Sequence, residues 1–133
     1  MRKLSAALLL YLGLASAALA QQAVYIPATM ASATFSAITT INQIIAAIPG
    51  KSIYITNISI HPASTSVVTL SYGTGTNCGT GTTIFYGPST FQGGENVYDG
   101  TGYGAIFVVP QGNAVCITIA TAVAPGWVSY ALF

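Results

Sequence analysis

The chain has 133 residues, of which 53% are hydrophobic and only 4% are charged, and its formal net charge is +1. It contains three lysines and arginines, two acidic residues and one histidine. Most enzymes take their acids, bases and charged clamps from such side chains, so the composition predicts a protein that is not an enzyme and needs no cofactor. Without a basic patch to contact phosphates, nucleic-acid binding is also disfavoured.

The first 20 residues have the three-part pattern of a secretory signal peptide. Arg2 and Lys3 give a positive start, an apolar run follows, and the segment ends in the small-residue cleavage sequence Ala-Leu-Ala. The alternative is a membrane anchor, but the apolar run is shorter than the roughly 20 residues that a span requires. We therefore expect residues 1–20 to be removed, leaving one secreted domain over residues 21–133 with no membrane span.

Removal of this segment would leave almost no charge on the protein. The remaining formal charges are Lys51, Glu95 and Asp99, so the net charge becomes 1 − 2 = −1. Proteins that stay monomeric usually keep their net charge away from zero, because charge opposes association. This pattern indicates a protein that associates with copies of itself.

Residue types after position 20 favour β-strands. Thr, Ile, Val and Tyr dominate, and Gly and Pro interrupt at short intervals. Several short strands separated by turns are typical of a β-sandwich, and we expect one of the jelly-roll type with about eight strands. The predicted strands cover residues 23–26, 34–39, 53–60, 66–72, 83–86, 105–109, 114–120 and 127–132.

Two segments leave alternatives open. The isoleucines of residues 53–60 change face midway, so either a β-bulge near Thr56 and Asn57 restores the phase or the strand is buried on both sides. The apolar spacing of residues 42–48 fits either a strand or a single helical turn, which Pro49 would end.

The two cysteines, Cys78 and Cys116, both lie beyond the predicted signal. In an oxidising compartment they most simply form one disulfide. Their spacing is too wide for a redox-active CxxC pair, and the further ligands of a zinc site are not nearby.

The glycine-rich segment 93–104 is predicted to be an exposed loop, and it holds the two acidic residues of the chain and two tyrosines. Its Glu95, Tyr98, Asp99 and Tyr103 form a candidate ligand loop, in which aromatic rings and carboxylates would face a sugar. Alternatively, Glu95 and Asp99 are solvated loop acids, or they form a weak calcium site with Asn96, since hard cations prefer oxygen ligands. No EF-hand spacing is present, so we predict no metal site.

His61 is the only candidate for an imidazole base. A Ser-His-Asp arrangement would need it, but no nucleophile-elbow pattern accompanies it. Because Pro62 follows at a predicted strand end, we interpret His61 as a turn-capping or solvent-facing residue.

Four sequence blocks resemble small phage- and prophage-associated proteins of Gram-negative bacteria. The blocks are residues 47–55, the segment YGTGTNCGTGTT at 72–83, residues 110–117 and the closing segment PGWVSYALF at 125–133. The resemblance implies a jelly-roll β-sandwich and, for some of these proteins, a place on the virion surface. It brings no catalytic residues.

Two functions are predicted from these observations. The first is a structural subunit of a virion surface or an extracellular filament, whose partners are copies of itself and other virion or cell-surface proteins. Ala23, Val24, Tyr25 and Ile26 are a candidate strand donated to a neighbouring subunit. The alternative is a secreted glycan-binding module that uses the candidate ligand loop.

Overall fold

The computed structural model of the protein describes residues 30–36, 40–100, 104–121 and 123–133. The predicted signal peptide, the candidate donated strand at residues 23–26 and Tyr103 lie outside the described residues. Within them, no helix has the length and hydropathy needed to cross a membrane. The described elements are β1 (Ala31–Phe35), β2 (Asn42–Ile45), β3 (Ile53–Ile60), β4 (Ser66–Thr74), a 3-10 turn (Thr76–Cys78), β5 (Thr80–Phe91), β6 (Val97–Gly100), β7 (Phe107–Val109), β8 (Ala114–Ala120) and β9 (Gly126–Leu132).

The strands form two antiparallel sheets. The first sheet has the order β1-β9-β3-β6, and the second has the order β2-β8-β4-β5. β7 belongs to the first sheet, where it pairs with residues 53–55 of β3 on the same edge on which β6 pairs with residues 57–60. Since β6 and β7 occupy successive stretches of one edge, they are two halves of a single interrupted strand. Counted so, each sheet has four strands, and the orders β1-β9-β3-β6/β7 and β2-β8-β4-β5 are those of a jelly roll, which confirms the predicted fold.

The core lies between the two sheets, and a bulge in β3 sets its composition. The pairing of β3 with β9 shifts register between Ile55 and Asn57. The extra residue brings the later isoleucines back onto the inner face, so the predicted bulge is present. Thr56, Asn57 and Ser59 are buried as well, so this half of the strand is also covered on both sides. The fully buried side chains that line the core include Ile53, Ile55, Ile58, Ile60, Val68, Leu70, Val109, Val115, Ile117, Ile119 and Val128.

The structure also corrects several predicted elements. Of the two alternatives for residues 42–48, the strand is present, over residues 42–45. The first described strand begins at Ala31, three residues before the predicted one. The prediction of residues 83–86 as a short strand is wrong in length, because β5 has 12 residues. Register shifts against β4 absorb the glycines inside β5 and let its pairing continue past them.

The predicted disulfide is present and lies on the outer face of the second sheet. Cys78 and Cys116 are linked with a Cα–Cα distance of 6.2 Å. Residues Val115 and Ile117 point into the core, so Cys116 points outward, and the loop after β4 folds back over it. The disulfide packs with Ala114 and Ile41 into a small second apolar cluster. This cluster attaches the loop to the sheet.

Candidate functional site

The structure separates the members of the candidate ligand loop. Glu95 lies in the turn before β6, where its Oε2 accepts a hydrogen bond from the backbone N–H of Gln92 at 2.7 Å, and its own N–H donates to the Gln92 carbonyl at 3.2 Å. The carboxylate of Glu95 therefore closes a turn. Tyr103, the last member of the candidate loop, lies outside the described residues.

Tyr98 and Asp99 are on opposite faces of β6, because neighbouring residues of a strand point in opposite directions. Tyr98 lies opposite Ser59 on the outer face of the first sheet and is 62% exposed. Asp99 lies opposite the buried Ile58, on the face toward the second sheet. Burial and, secondarily, the negative charge of Asp99 raise the pKa of the Tyr86 phenol. The predicted aromatic and acidic groups are thus divided between two faces.

The candidate calcium ligands are not gathered either. The Glu95 carboxylate bonds the backbone of Gln92, and the Asn96 side-chain oxygen bonds His61 at 2.6 Å. Asp99 faces the other sheet. Across the described residues, no group of three or more His, Cys, Asp or Glu side chains is placed to hold a metal ion.

Tyr98 is instead brought together with Trp127 of β9. Ser59 of β3 pairs with Tyr98 on one side and with Trp127 of β9 on the other, so the three side chains form one row across the outer face. The two rings meet edge to face, with centroids 6.1 Å apart and an interplanar angle of 61°. We call Tyr98 and Trp127 the aromatic pair.

A set of three hydrogen-bonded side chains, the polar triplet of Ser59, His61 and Asn96, lies beside the aromatic pair. Ser59 Oγ is 2.9 Å from His61 Nε2, and His61 Nδ1 is 2.6 Å from Asn96 Oδ1. Because the Asn96 oxygen can only accept, Nδ1 carries the proton, and Nε2 accepts from the Ser59 hydroxyl. The backbone of His61 is also fixed, since its N–H donates to the carbonyl of Pro125 at 2.9 Å.

The polar triplet has the direction of hydrogen bonding found in a serine-hydrolase triad, but its serine is not presented to solvent. Ser59 is only 4% exposed and lies between the two members of the aromatic pair in the cross-strand row. The third member is the neutral amide of Asn96, where the serine triad has a carboxylate that stabilises the imidazolium. In this geometry the Ser59 hydroxyl holds the His61 ring in place and is poorly positioned to act as a nucleophile.

The bulge of β3 fixes the Tyr98 ring from the other side. The Tyr98 hydroxyl donates to Asn57 Oδ1 at 3.0 Å, and Asn57 Nδ2 donates to Thr56 Oγ1 at 3.2 Å. The Thr56 hydroxyl in turn donates to the carbonyl of Ser129 at 3.2 Å. Gly100 lies opposite Asn57, and a side chain there would overlap the Asn57 amide. Tyr98 is therefore exposed and also held in orientation.

The sequence indicated only part of this arrangement. The spacing of Ser59 and His61 places them on one face of a strand, and Tyr98 was expected to be exposed. Asn96 is 35 positions away from His61 along the chain, and Trp127 is still further. Only the register of β6 and β9 against β3 brings these residues together, and no local pattern specifies that register.

A second surface feature is the uncharged edge of the second sheet. β5 pairs with β4 along one side, and its other side has no partner strand among the described residues. None of its 12 residues is charged, and most of them are exposed. Ile84, near its centre, is 55% exposed. A long edge without charged side chains leaves backbone N–H and C=O groups open to pairing with another strand.

No protein-family model, curated protein or solved structure matches the chain. The chemistry of the residues on the face with the aromatic pair and on the β5 edge therefore indicates what these two surfaces do.

Proposed function

We propose that the protein is a non-enzymatic structural subunit that self-associates in a virion-surface or extracellular assembly. The observation that carries this proposal is the edge strand β5. Its 12 residues contain no charged side chain, and the edge faces no described strand. Pairing of this edge with a second copy would continue the second sheet across the contact.

The composition of β5 supports the proposal, because proteins normally protect such edges. Besides β-bulges, which β5 has, lysine, inward-pointing charges and proline are the usual means of preventing edge-to-edge pairing. In β5 the only one of these is Pro88, which lies next to Gly87 in a bulged stretch. Residues Thr80–Tyr86 before it are free of all three.

The distribution of charge over the whole protein also supports association. Lys51, Glu95 and Asp99 are all exposed but lie outside β5, and they nearly cancel. Little electrostatic repulsion would therefore oppose the contact of two copies. A location outside the cytoplasm is supported by the disulfide, since such bonds persist in oxidising compartments. The virion surface is supported by the resemblance to phage-associated proteins.

A charged residue on the β5 edge tests this proposal. In the exported protein, Ile84→Lys places a charge on the exposed face of the edge strand, and we expect it to reduce the mass measured by light scattering to that of a monomer. The matched control is Val123→Lys, because Val123 is 43% exposed but lies in the connection before β9. We expect this variant to assemble like the wild type.

Circular dichroism of both variants establishes whether the strand content is retained. If folded Ile84→Lys assembles as fully as the wild type, or if both lysine variants are equally impaired, association through β5 is contradicted.

A further inference from the structure

We propose that the outer face of the first sheet binds a neutral saccharide, through the aromatic pair and the exposed amide of Asn96. This site goes beyond self-association and uses a different sheet. It retains Tyr98 from the predicted ligand loop and replaces the acidic residues with Trp127, His61 and Asn96.

The aromatic pair supplies the apolar part of such a site. A sugar ring has faces of C–H groups and an edge of hydroxyls, and the C–H faces pack well against aromatic rings. Tyr98 is among the most exposed large hydrophobic side chains in the described residues, although its hydroxyl is bonded to Asn57. Tyr98 is therefore oriented before any ligand arrives, and binding would cost little side-chain entropy.

The polar groups beside the aromatic pair complement hydroxyls. A sugar hydroxyl is both a donor and an acceptor. The Asn96 oxygen is held by His61, so the exposed Asn96 amide is oriented and its nitrogen can donate. The Tyr98 oxygen donates its proton to Asn57, so its lone pairs can accept. One fixed donor and one fixed acceptor thus lie on the two sides of the buried Ser59.

The charges of the protein indicate that the ligand is neutral. Lys51 lies before the start of β3, whereas His61 follows its end, and eight strand residues place them roughly 30 Å apart. Asp99 faces the other sheet, and the Glu95 carboxylate is bonded to the backbone of Gln92. No described cation is therefore close enough to offset the desolvation of a phosphate, sulfate or carboxylate ligand.

The single tryptophan of the chain provides a direct readout. Since Trp127 is the only tryptophan, its fluorescence reports on this face alone. The experiment titrates the exported wild-type protein with maltotetraose, cellotetraose and chitotetraose, and with acidic tetragalacturonate for comparison. We expect a saturable change in emission with at least one neutral tetrasaccharide and a weaker response to the acidic one.

Two variants localise the response. Tyr98→Ala removes the exposed ring and should weaken binding about tenfold, the loss of one aromatic contact. The matched control, Val123→Ala, changes an exposed side chain in the connection before β9, outside both proposed surfaces, and should titrate like the wild type. Because Tyr98 is largely exposed, its variant should keep its fold, which circular dichroism measures. Tyr98→Phe keeps the ring but loses the hydroxyl that orients it and that can accept from a sugar, so its affinity should lie between those of the wild type and Tyr98→Ala.

The proposal is overturned if no neutral tetrasaccharide gives a saturable change up to about 10 mM, a range that covers weak binding. It is also overturned if tetragalacturonate binds as tightly as the neutral sugars, or if Tyr98→Ala binds like the wild type. Light scattering of Ile84→Lys tests self-association independently, so failure of one proposal is distinguishable from failure of the other.

Discussion

Removing the disulfide tests how strongly the fold depends on the link between the loop after β4 and strand β8. The bond joins residues 38 positions apart, Cys78 and Cys116. In the chain-entropy account, closing a loop of this length lowers the entropy of the unfolded chain by about 13 cal/mol/K, or about 4 kcal/mol at 25 °C. The double substitution to alanine leaves the nearby Ala114 and Ile41 in place. We therefore expect unfolding to become easier by about 4 kcal/mol.

Urea denaturation followed by Trp127 fluorescence measures this change, because Trp127 lies in β9 of the first sheet and loses its surroundings, including Tyr98, when the protein unfolds. With a dependence on urea of about 2 kcal/mol per M, the transition midpoint should fall by about 2 M. Circular dichroism in the absence of urea shows whether the double variant is still folded at 25 °C. A folded variant whose free energy of unfolding falls by less than about 1 kcal/mol would refute the loop-entropy reasoning.

Two further substitutions test the packing of β9 and the environment of Tyr86. Gly126→Ala should lower the free energy of unfolding by about 1–3 kcal/mol. The added Cβ would overlap the carbonyl of Ser59 and would lie 2.5 Å from Phe35 Cζ. A change below about 0.5 kcal/mol, measured by urea denaturation, would contradict this packing. Since burial and then Asp99 raise the pKa of Tyr86 above 10.0, its neutral form stabilises the folded state below pH 10, and this stability is lost as the pH rises through the raised value. Tyr86→Phe should therefore lose less stability than the wild type between about pH 9 and 11, and identical pH curves would contradict the assigned environment.

The core of the fold was predictable where the apolar pattern is strong. The change of phase among the isoleucines of β3 left two alternatives, a bulge near Thr56 and Asn57 or burial on both sides, and the structure has the bulge. The two cysteines predict the disulfide, because their number leaves one pairing. In the first case a short stretch of sequence contains the physical reason for the structure, and in the second the number of cysteines does.

Strand β6, which was missed, and strand β5, which was predicted too short, lack such a local signal. β6 has four residues, Val97–Gly100, inside a glycine-rich segment, and it exists because β3 offers a free edge to pair with. β5 contains glycines and Pro88, which normally end a strand, but its pairing with β4 continues through register shifts. Tertiary pairing overrides local propensity in both strands.

The candidate site shows the same limit. The sequence places Glu95, Tyr98 and Asp99 within five residues, which suggested a common surface. The alternation of β6 turns Asp99 away from Tyr98, and the turn before it occupies the Glu95 carboxylate. Trp127 takes their place because β9 pairs with the other side of β3. Only the sheet order defines this neighbourhood.

Hydrogen exchange in β5 tests self-association through this edge most directly. In an antiparallel edge strand, alternate backbone N–H groups point away from the paired neighbour and are open to water. If copies pair through β5, these outward N–H groups should exchange more slowly as the concentration of the protein rises, and dilution should restore fast exchange. Equally fast exchange of the outward N–H groups at every concentration, with larger assemblies present by light scattering, would contradict the proposed contact.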